Sequence, residues 1–192
     1  MKKITKQHFL ENKNFYLQEM KIWKIFIYPT DTILGIGCIV SSTKSVDKIF
    51  ELKQRESKPL LIIIPNIEWI ENNCMISDKN KDYIQEKLPW AYSFIVQLKN
   101  NNILYPKINN NSWTIWIRIP DNWFAETISE LWETFITTSV NISGEDSILK
   151  TQNIPQNILE WVDYIIEDEH KFSGKSSRLI DMRGEEMIVL RK

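Results

Sequence analysis

The sequence is short of the residues that several common kinds of functional site need. Its 192 residues include two cysteines, Cys38 and Cys74, and two histidines, His8 and His170. Two cysteines are too few for a disulfide framework, and these four residues are too widely spaced for a compact Cys/His zinc motif. The same scarcity argues against histidine-based catalysis. We therefore expect no metal ligands from the protein itself.

The chain also lacks long apolar runs. No run approaches the ~20 residues that cross a bilayer, and the opening residues 1–8 have no apolar core of the kind that a signal peptide carries. A hydrophobic fraction of 43% is nevertheless too high for a disordered chain. These features predict a cytoplasmic globular protein in which residues 1–192 fold as one domain.

Neither sign of charge is in excess. The chain has 24 Lys and Arg against 25 Asp and Glu, for a net charge of −1. Proteins that bind nucleic acid over a broad surface usually have a clearly basic balance, so any anion-binding site here must be local. Glycine and arginine are scarce, with five of each, and both types cluster around the candidate motifs described next.

Apolar periodicity predicts a mixed order of helices and strands. The predicted helices are residues 1–20 with Thr5 as N-cap, 45–53, 68–73, 78–88, 122–132 and 157–161. The predicted strands are residues 21–28, 35–40, 60–64, 92–98, 114–119, 135–139, 164–167, 178–182 and 187–191. Some strands follow each other directly and others are separated by helices, which indicates an α/β (α+β) domain with a mixed sheet.

The first candidate motif lies just beyond the first predicted strand. It places Thr30, Asp31 and Thr32 ahead of two glycines, Gly35 and Gly37. Ligands of open α/β sheets bind beyond the carboxyl ends of strands, and glycine lets the backbone approach a ligand closely. The alternative is an ordinary turn, because proline, threonine and aspartate are common turn residues.

A local cluster of positive charge follows the helix predicted for residues 45–53. Lys53, Arg55 and Lys58 suit phosphate groups, since arginine offers a bidentate fork and lysine a point charge. The alternative interpretation is that these cations complement the helix dipole at its C-terminus and lie in water.

The segment from Ser139 to Gly144 carries neutral polar side chains. Ser139, Asn141 and Ser143 recur at every second residue, so they would share one face if the preceding strand continued. Such a row could hydrogen-bond phosphate, ribose or a base edge. The alternative is a strand that runs into a Ser-Gly turn. No catalytic serine follows, because no histidine is near in sequence and no Gly-x-Ser-x-Gly elbow is present.

Further polar residues lie on the remaining strands. Arg118 ends the predicted strand 114–119 on its more polar face, which Trp116 shares. Ser177 enters the strand after Gly174, in a context that does not fit a Walker A loop and that could be a capped turn. The eight tryptophans are scattered through apolar patterns, which favours core or rim positions over a base-stacking platform.

The motifs gain specificity from their order along the chain. In that order they are Tyr28-Pro-Thr-Asp-Thr-x-x-Gly-x-Gly, Leu52-Lys-Gln-Arg, Arg118-Ile-Pro, Thr138-Ser-Val-Asn-Ile-Ser-Gly and Ser177-x-x-x-Asp with Arg191. Together they resemble the YrdC-like family of threonylcarbamoyl-AMP synthases in its single-domain form, from roughly residue 21 onward. The resemblance implies a twisted mixed sheet flanked by helices around a concave basic groove, the YrdC/RibB-like fold.

The resemblance also implies a reaction. The expected enzyme is a nucleotidyltransferase that makes threonylcarbamoyl-AMP and pyrophosphate from L-threonine, bicarbonate and ATP. Its product would serve the threonylcarbamoyl modification of adenosine 37 in tRNA, through a transferase complex that accepts it. In this chemistry a carbamate oxygen attacks the α-phosphorus, so positioning and charge neutralisation matter more than a strong protein base.

The family pattern implies roles for individual residues of this chain. Those near threonine would be Thr30, Arg118, Ser139 and Ser177, with Arg118 on the carboxylate. Those contacting ATP would be Lys53, Arg55, Asn141 and Arg191, with Lys53 and Arg55 on the phosphates as the catalytic pair. Mg²⁺ bound with ATP would neutralise the remaining phosphate charge.

Two other functions stay open. A groove of this fold could bind structured RNA without any chemistry, and a salt-sensitive RNA affinity without pyrophosphate release would favour that function. A related enzyme could instead make another carbamoyl adenylate from a different amino acid or from carbamoyl phosphate, which substrate competition would decide.

Overall fold

A computed structural model describes residues 1–54, 58–169, 173–184 and 186–192 of the chain. Its strands are β1 (Lys2–Thr5), β2 (Phe26–Pro29), β3 (Leu34–Gly37), β4 (Leu61–Ile63), β5 (Cys74–Met75), β6 (Tyr92–Leu98), β7 (Thr114–Arg118), β8 (Phe135–Ser139), β9 (Tyr164–Glu167), β10 (Arg178–Asp181) and β11 (Ile188–Arg191). Its α-helices are α1 (Lys6–Glu11), α2 (Lys13–Lys21), α3 (Thr43–Leu52), α4 (Glu68–Asn73), α5 (Asp78–Lys87), α6 (Trp123–Ser129) and α7 (Gln156–Leu159). No helix within these ranges combines the length and apolar character that spanning a bilayer requires.

The strands form one mixed sheet. Their order is β1-β9-β2-β3-β8-β4-β7-β6-β10-β11, with β5 paired to β6 beside this path. The pairs β1–β9, β2–β9, β4–β7 and β6–β10 are parallel. The pairs β2–β3, β3–β8, β4–β8, β6–β7 and β10–β11 are antiparallel. This arrangement confirms the predicted α/β class with a mixed sheet.

Alternation along the central strands divides the sheet into two faces. On one face Ile36, Ile62, Phe94, Ile117 and Ile136 are fully buried and belong to the main core. Helices α3, α4, α5 and α7 contribute residues to the same core, so they cover this face.

The other face of the sheet carries a second core at one end only. Phe26 and Tyr28 of β2 and Phe135 of β8 pack there with Phe9 of α1 and Phe124 of α6. The rings of Tyr28 and Phe124 are stacked, with centroids 4.0 Å apart. Because α1, α2 and α6 cover only this end, the rest of the face is left for the candidate site.

Local signals explain where several helices begin. Thr5, Ser42, Ser77 and Asn122 each precede a helix, and each side chain accepts a hydrogen bond from a backbone N–H of the first turn. The N-cap predicted at Thr5 is confirmed.

Strands β6, β8 and β9 begin and end at the predicted residues.

The prediction of one helix over residues 1–20 is wrong. Lys2–Thr5 form β1, which pairs in parallel with β9, and the helical segment that follows divides at Asn12 into α1 and α2. The pairing of β1 with a strand distant in sequence depends on tertiary contacts, which local propensity does not describe.

The strand predicted for residues 21–28 is shorter than expected. Helix α2 continues to Lys21, Trp23 has a positive φ of 75°, and the strand begins at Phe26. It then includes Pro29, which pairs with Leu34 of β3.

None of the eight tryptophans is buried in the core, and the rim part of the prediction describes Trp69 and Trp123, which are partly buried against the core. Five are exposed, namely Trp23, Trp90, Trp113, Trp132 and Trp161, and the other three are partly exposed. Trp132 is 76% exposed and has a φ of 57°. It follows α6, which ends at Ser129 and not at residue 132 as predicted.

Asn122 connects the start of α6 with the end of β2. Its Oδ1 accepts a hydrogen bond from the Ala125 N–H at 2.9 Å, and its Nδ2 donates to the Pro29 carbonyl at 2.6 Å. We expect Asn122→Ala to lower the free energy of unfolding by about 1 kcal/mol through the lost N-cap, with a further loss from the unpaired carbonyl.

Urea unfolding followed by circular dichroism would measure this loss. Asn122→Asp is the matched control, because its carboxylate keeps the cap acceptor but has no donor for Pro29. We expect it to recover part of the stability. An alanine variant as stable as the parent would show that neither hydrogen bond contributes.

Candidate functional site

A cleft opens on the sheet face that the second core leaves uncovered. Its lining consists of Thr30, Thr32, Ile33, Gly35, Pro59, Leu61, Trp116, Arg118, Thr137, Thr138, Ser139, Ser176, Ser177 and Arg191. The cavity volume is about 170 Å³. Clefts for drug-sized ligands usually measure roughly 300–1,000 Å³. The enclosed part of this cleft therefore suits a molecule of amino-acid size better than a whole nucleotide.

Several residues that are far apart in sequence meet in this cleft. Those already singled out by the motifs are Thr30, Arg118, Ser139, Ser177 and Arg191. Sheet pairing explains the convergence, because Gly35 of β3 lies opposite Ser139 of β8 and β6 joins β7 to β10. Five of the residues to which the family pattern gives roles thus line one cleft, and their roles remain predictions.

Thr30 caps the tight turn between β2 and β3. Its hydroxyl accepts hydrogen bonds from the backbone N–H groups of Thr32 and Ile33, and it donates to the Ile33 carbonyl at 2.7 Å. The residue is buried. The hydrogen bonds of Thr30 are therefore those of an ordinary turn, which was the alternative interpretation of this motif. Thr30 also lines the cleft.

Arg118 reaches the cleft from the end of β7, on the face predicted for it. Its Nη2 donates to Asp31 Oδ1 at 2.6 Å, and its Nη1 donates to Thr32 Oγ1 at 3.3 Å. The side chains of Arg118 and Asp31 are 6% and 13% exposed, so this is a largely buried ion pair. The turn after β2 thus orients an arginine that lies far from it in sequence.

Arg191 and Ser177 form another part of the lining. Arg191 Nε donates to the Ser177 carbonyl at 2.7 Å, and the Ser177 hydroxyl lies 2.6 Å from that of Ser93. Burial and, to a smaller degree, the charge of Arg118 lower the pKa of the Arg191 guanidinium from its ordinary value. The two arginines make the cleft locally positive, which suits a carboxylate or a phosphate.

Lys53 does not lie in water at the end of α3, so that alternative is wrong for this residue. It is 2% exposed, and its ammonium donates to the Ser139 carbonyl at 2.7 Å and to Asn141 Oδ1. The Ser139 hydroxyl also donates to Asn141 Oδ1 at 2.6 Å. Lys53 and Asn141 are outside the cleft lining and contact it through Ser139.

The segment after β8 turns away from the strand direction. β8 ends at Ser139, and the Ser143 N–H donates to the Lys53 carbonyl at 3.1 Å. Gly144 has a φ of 97°, which favours glycine. The alternative of a strand that runs into a turn is therefore confirmed, and the turn holds the backbone of Lys53. Arg55 lies outside the described residues.

Sequence reasoning missed several residues of the cleft. Thr137 contributes polar lining, while Leu61 and Trp116 contribute apolar surface. Thr32, which the first candidate motif contains, also lines the cleft. Leu61 lies opposite Trp116 in the β4–β7 pair and opposite Thr137 in the β4–β8 pair, so the three residues form a row across the sheet. The alternation that places Trp116 on the face of Arg118 is the signal that could have identified it.

The two cysteines have no place in the cleft lining. Burial raises the pKa of both thiols, to about 12 for Cys74. Both therefore stay protonated at neutral pH, which makes them poor nucleophiles. Among the residues that the structure describes, no group of three or more His, Cys, Asp or Glu is placed to hold a metal ion.

Comparison with known proteins gives the family. Residues 20–192 match the Sua5/YciO/YrdC family model, whose description is telomere recombination. A relative in Methanocaldococcus jannaschii is 32% identical over 179 residues, which cover 93% of this chain and 84% of the relative. The threonylcarbamoyl-AMP synthase of Bacillus subtilis is 26% identical over 171 residues, which cover 88% of this chain and 49% of the relative. The chain thus spans about half the length of that Bacillus protein.

Solved structures give the fold. Pyrococcus abyssi Sua5 complexed with L-threonine superposes with a TM-score of 0.86 at 21% identity, covering 98% of this chain and 56% of that one. Escherichia coli YciO superposes with a TM-score of 0.85 at 18% identity, covering 99% of this chain and 93% of that one. The architecture is therefore the twisted mixed sheet flanked by helices that these proteins share.

Proposed function

Because the chain belongs to the Sua5/YciO/YrdC family, we propose that it is a threonylcarbamoyl-AMP synthase. It would convert L-threonine, bicarbonate and ATP into threonylcarbamoyl-AMP and pyrophosphate. The observation that carries this proposal is the meeting of Thr30, Arg118, Ser139, Ser177 and Arg191 in one cleft of amino-acid size.

Threonine is proposed to bind over Arg118. The guanidinium matches the geometry of a carboxylate and forms charge-assisted hydrogen bonds to it. The hydroxyls of Thr30, Ser139 and Ser177 can accept from the ammonium of threonine, and they can donate to or accept from its hydroxyl. Side chains of this kind favour a small polar amino acid over an apolar one.

ATP is proposed to extend from the enclosed part of the cleft toward Lys53 and Asn141. Lys53 and Arg55 would contact the phosphates, and Arg191 and Asn141 would hold the nucleotide. Mg²⁺ would enter with ATP, since this ion is usually bound through substrate phosphates with few protein ligands. For Lys53 this role requires its ammonium to exchange Ser139 or Asn141 for a phosphate oxygen.

The chemistry that follows is nucleotidyl transfer. The amine of threonine and bicarbonate form a carbamate with loss of water. A carbamate oxygen then bonds to the α-phosphorus, and the bond from that phosphorus to pyrophosphate breaks. The cationic residues neutralise charge on the phosphates and hold the two reactants close, which are the main contributions to such a transfer.

Pyrophosphate release by the purified chain tests this proposal. We expect release only when ATP, L-threonine and bicarbonate are present together, and mass spectrometry should detect threonylcarbamoyl-AMP. Serine and carbamoyl phosphate serve as competing substrates. Release that depends on carbamoyl phosphate, or salt-sensitive RNA binding with no pyrophosphate release, would contradict the proposal and favour one of the two other functions.

Three further statements belong to the same proposal. The product would be taken up by a tRNA-modifying transferase complex, the reaction would take place in the cytoplasm, and residues 1–192 would act as one YrdC-like domain. Co-purification of the chain with a tRNA-modifying protein would test the first of them.

A further inference from the structure

The carboxylate of Asp31 lies outside the cleft lining and forms an ion pair with Arg118, one of the two arginines inside the cleft. Asp31 Oδ1 accepts a hydrogen bond from Arg118 Nη2 at 2.6 Å, yet Asp31 is not among the residues that line the cleft. Its side chain is 13% exposed. Asp31 is therefore placed to act on a ligand through Arg118 and not by direct contact.

The two contacts of Arg118 define the orientation of its guanidinium. One Nη group donates to Asp31 and the other to Thr32, whose hydroxyl lies 2.9 Å from that of Thr30. A guanidinium is planar, so two fixed donors fix its plane. Each Nη group has a second N–H, which makes no hydrogen bond to the described residues and so can donate to a carboxylate in the cleft.

The charge of Asp31 has a second effect. Arg191 also lines the cleft, and among the described residues it makes no ion pair. Two guanidiniums that face one cavity repel each other, and Arg118, which is buried, would be strongly unfavourable without a counter-charge. The negative charge of Asp31 compensates the charge of Arg118, which lines the same cleft as Arg191.

From these contacts we infer that Asp31 is a positioning residue for substrate binding: it holds Arg118 in the orientation that receives the carboxylate of the amino-acid substrate. The inference rests on the proposed function and deepens it. Asp31 neither reacts nor touches substrate, so its loss should affect the binding of the amino acid much more than that of ATP or the rate of phosphoryl chemistry.

Asp31→Asn tests the inference because it keeps the size of the side chain and removes its charge. We expect the KM for threonine to rise five- to tenfold, with the KM for ATP and kcat within twofold of the parent. A merely structural role would lower the melting temperature and leave the KM for threonine unchanged. Asp47→Asn is the matched control, since it removes another carboxylate paired with a cation, Lys107 at 2.7 Å, away from the cleft.

Thr32→Val provides a second test that does not depend on the folding of the first variant. It removes the hydroxyl that accepts from Arg118 Nη1 while Asp31 stays in place. We expect a two- to threefold rise in the KM for threonine. If Asp31→Asn folds, an unchanged or lower KM for threonine overturns the inference; if it does not fold, an unchanged KM in Thr32→Val does so.

The parent protein separates the two possible failures. If it releases pyrophosphate with threonine and the variants match it, the positioning role is wrong and the proposed function stands. If the parent shows no threonine-dependent release, the proposed function fails, and the positioning role fails with it.

Discussion

Lys53→Ala is expected to lower ATP-dependent pyrophosphate release by at least tenfold. The substitution removes a buried ammonium that donates to the Ser139 carbonyl and to Asn141 Oδ1. A hydrogen bond to a charged group contributes about 1.5–3 kcal/mol, which corresponds to a ten- to hundredfold change in rate. The variant would lose the proposed phosphate contact and the Lys53 hydrogen bonds to the Ser139 carbonyl and Asn141 Oδ1, although Asn141 Oδ1 keeps the Ser139 hydroxyl as a donor.

Two further variants separate the charge of Lys53 from its other contributions. Lys53→Met keeps most of the aliphatic chain and removes the charge, so we expect it to lower turnover as strongly as alanine does. Lys48→Ala on the same helix removes an exposed lysine and should leave turnover unchanged. Steady-state kinetics of pyrophosphate release would measure all three variants. Parent-like kinetics in Lys53→Ala would reject the role proposed for this residue.

Gly37→Ala is expected to destabilise the fold more than any other substitution considered for this protein. Gly37 lies in β3, and a Cβ atom added there would come within 1.9 Å of the Ile136 backbone carbonyl and 2.9 Å of the Phe135 ring. The carbonyl belongs to β8, the strand paired with β3, so neither backbone can move without breaking the pair. We expect a loss of about 3 kcal/mol or more, a large share of a typical unfolding free energy.

Gly184→Ala is the matched control for this prediction. The nearest atom to a Cβ at Gly184 would be 3.9 Å away, which is ordinary contact. Its effect should stay within about 0.5 kcal/mol, as is usual for surface substitutions. Urea or thermal unfolding would compare the two variants. If Gly37→Ala unfolds at the same midpoint as Gly184→Ala, the close approach of β3 and β8 is not as tight as the structure describes.

The secondary structure could be predicted best where the apolar pattern of a segment is enough to indicate its strand or helix. Tyr92–Leu98, Phe135–Ser139 and Tyr164–Glu167 are strands with a partner on each side and with buried apolar residues, and both their ends were predicted. The N-terminal segment was predicted wrongly as one helix. Lys2–Thr5 form an edge strand because β9 offers a partner, and no pattern within those four residues indicates that partner.

In the candidate site, too, some residues could be identified from the sequence and others only from the pairing of strands. The polar motifs identified which residues are available, because scarce glycines and arginines lie beside hydroxyl residues at the ends of strands. The site roles of those residues remain predictions. The motifs did not identify Trp116 and Leu61, which sequence patterns present as ordinary strand residues and which the β4–β7 pairing brings into the cleft.

The residues alone determined the class of fold, both ends of β6, β8 and β9, and the family, since these follow from periodicity and the order of short motifs. Only the tertiary structure decided that Lys53 is buried against Ser139 and that Asp31 pairs with Arg118. The physical reason is distance along the chain. Local preferences act over a few neighbours, whereas a buried ion pair forms only after sheet pairing has brought two remote strands together and excluded water from both charges.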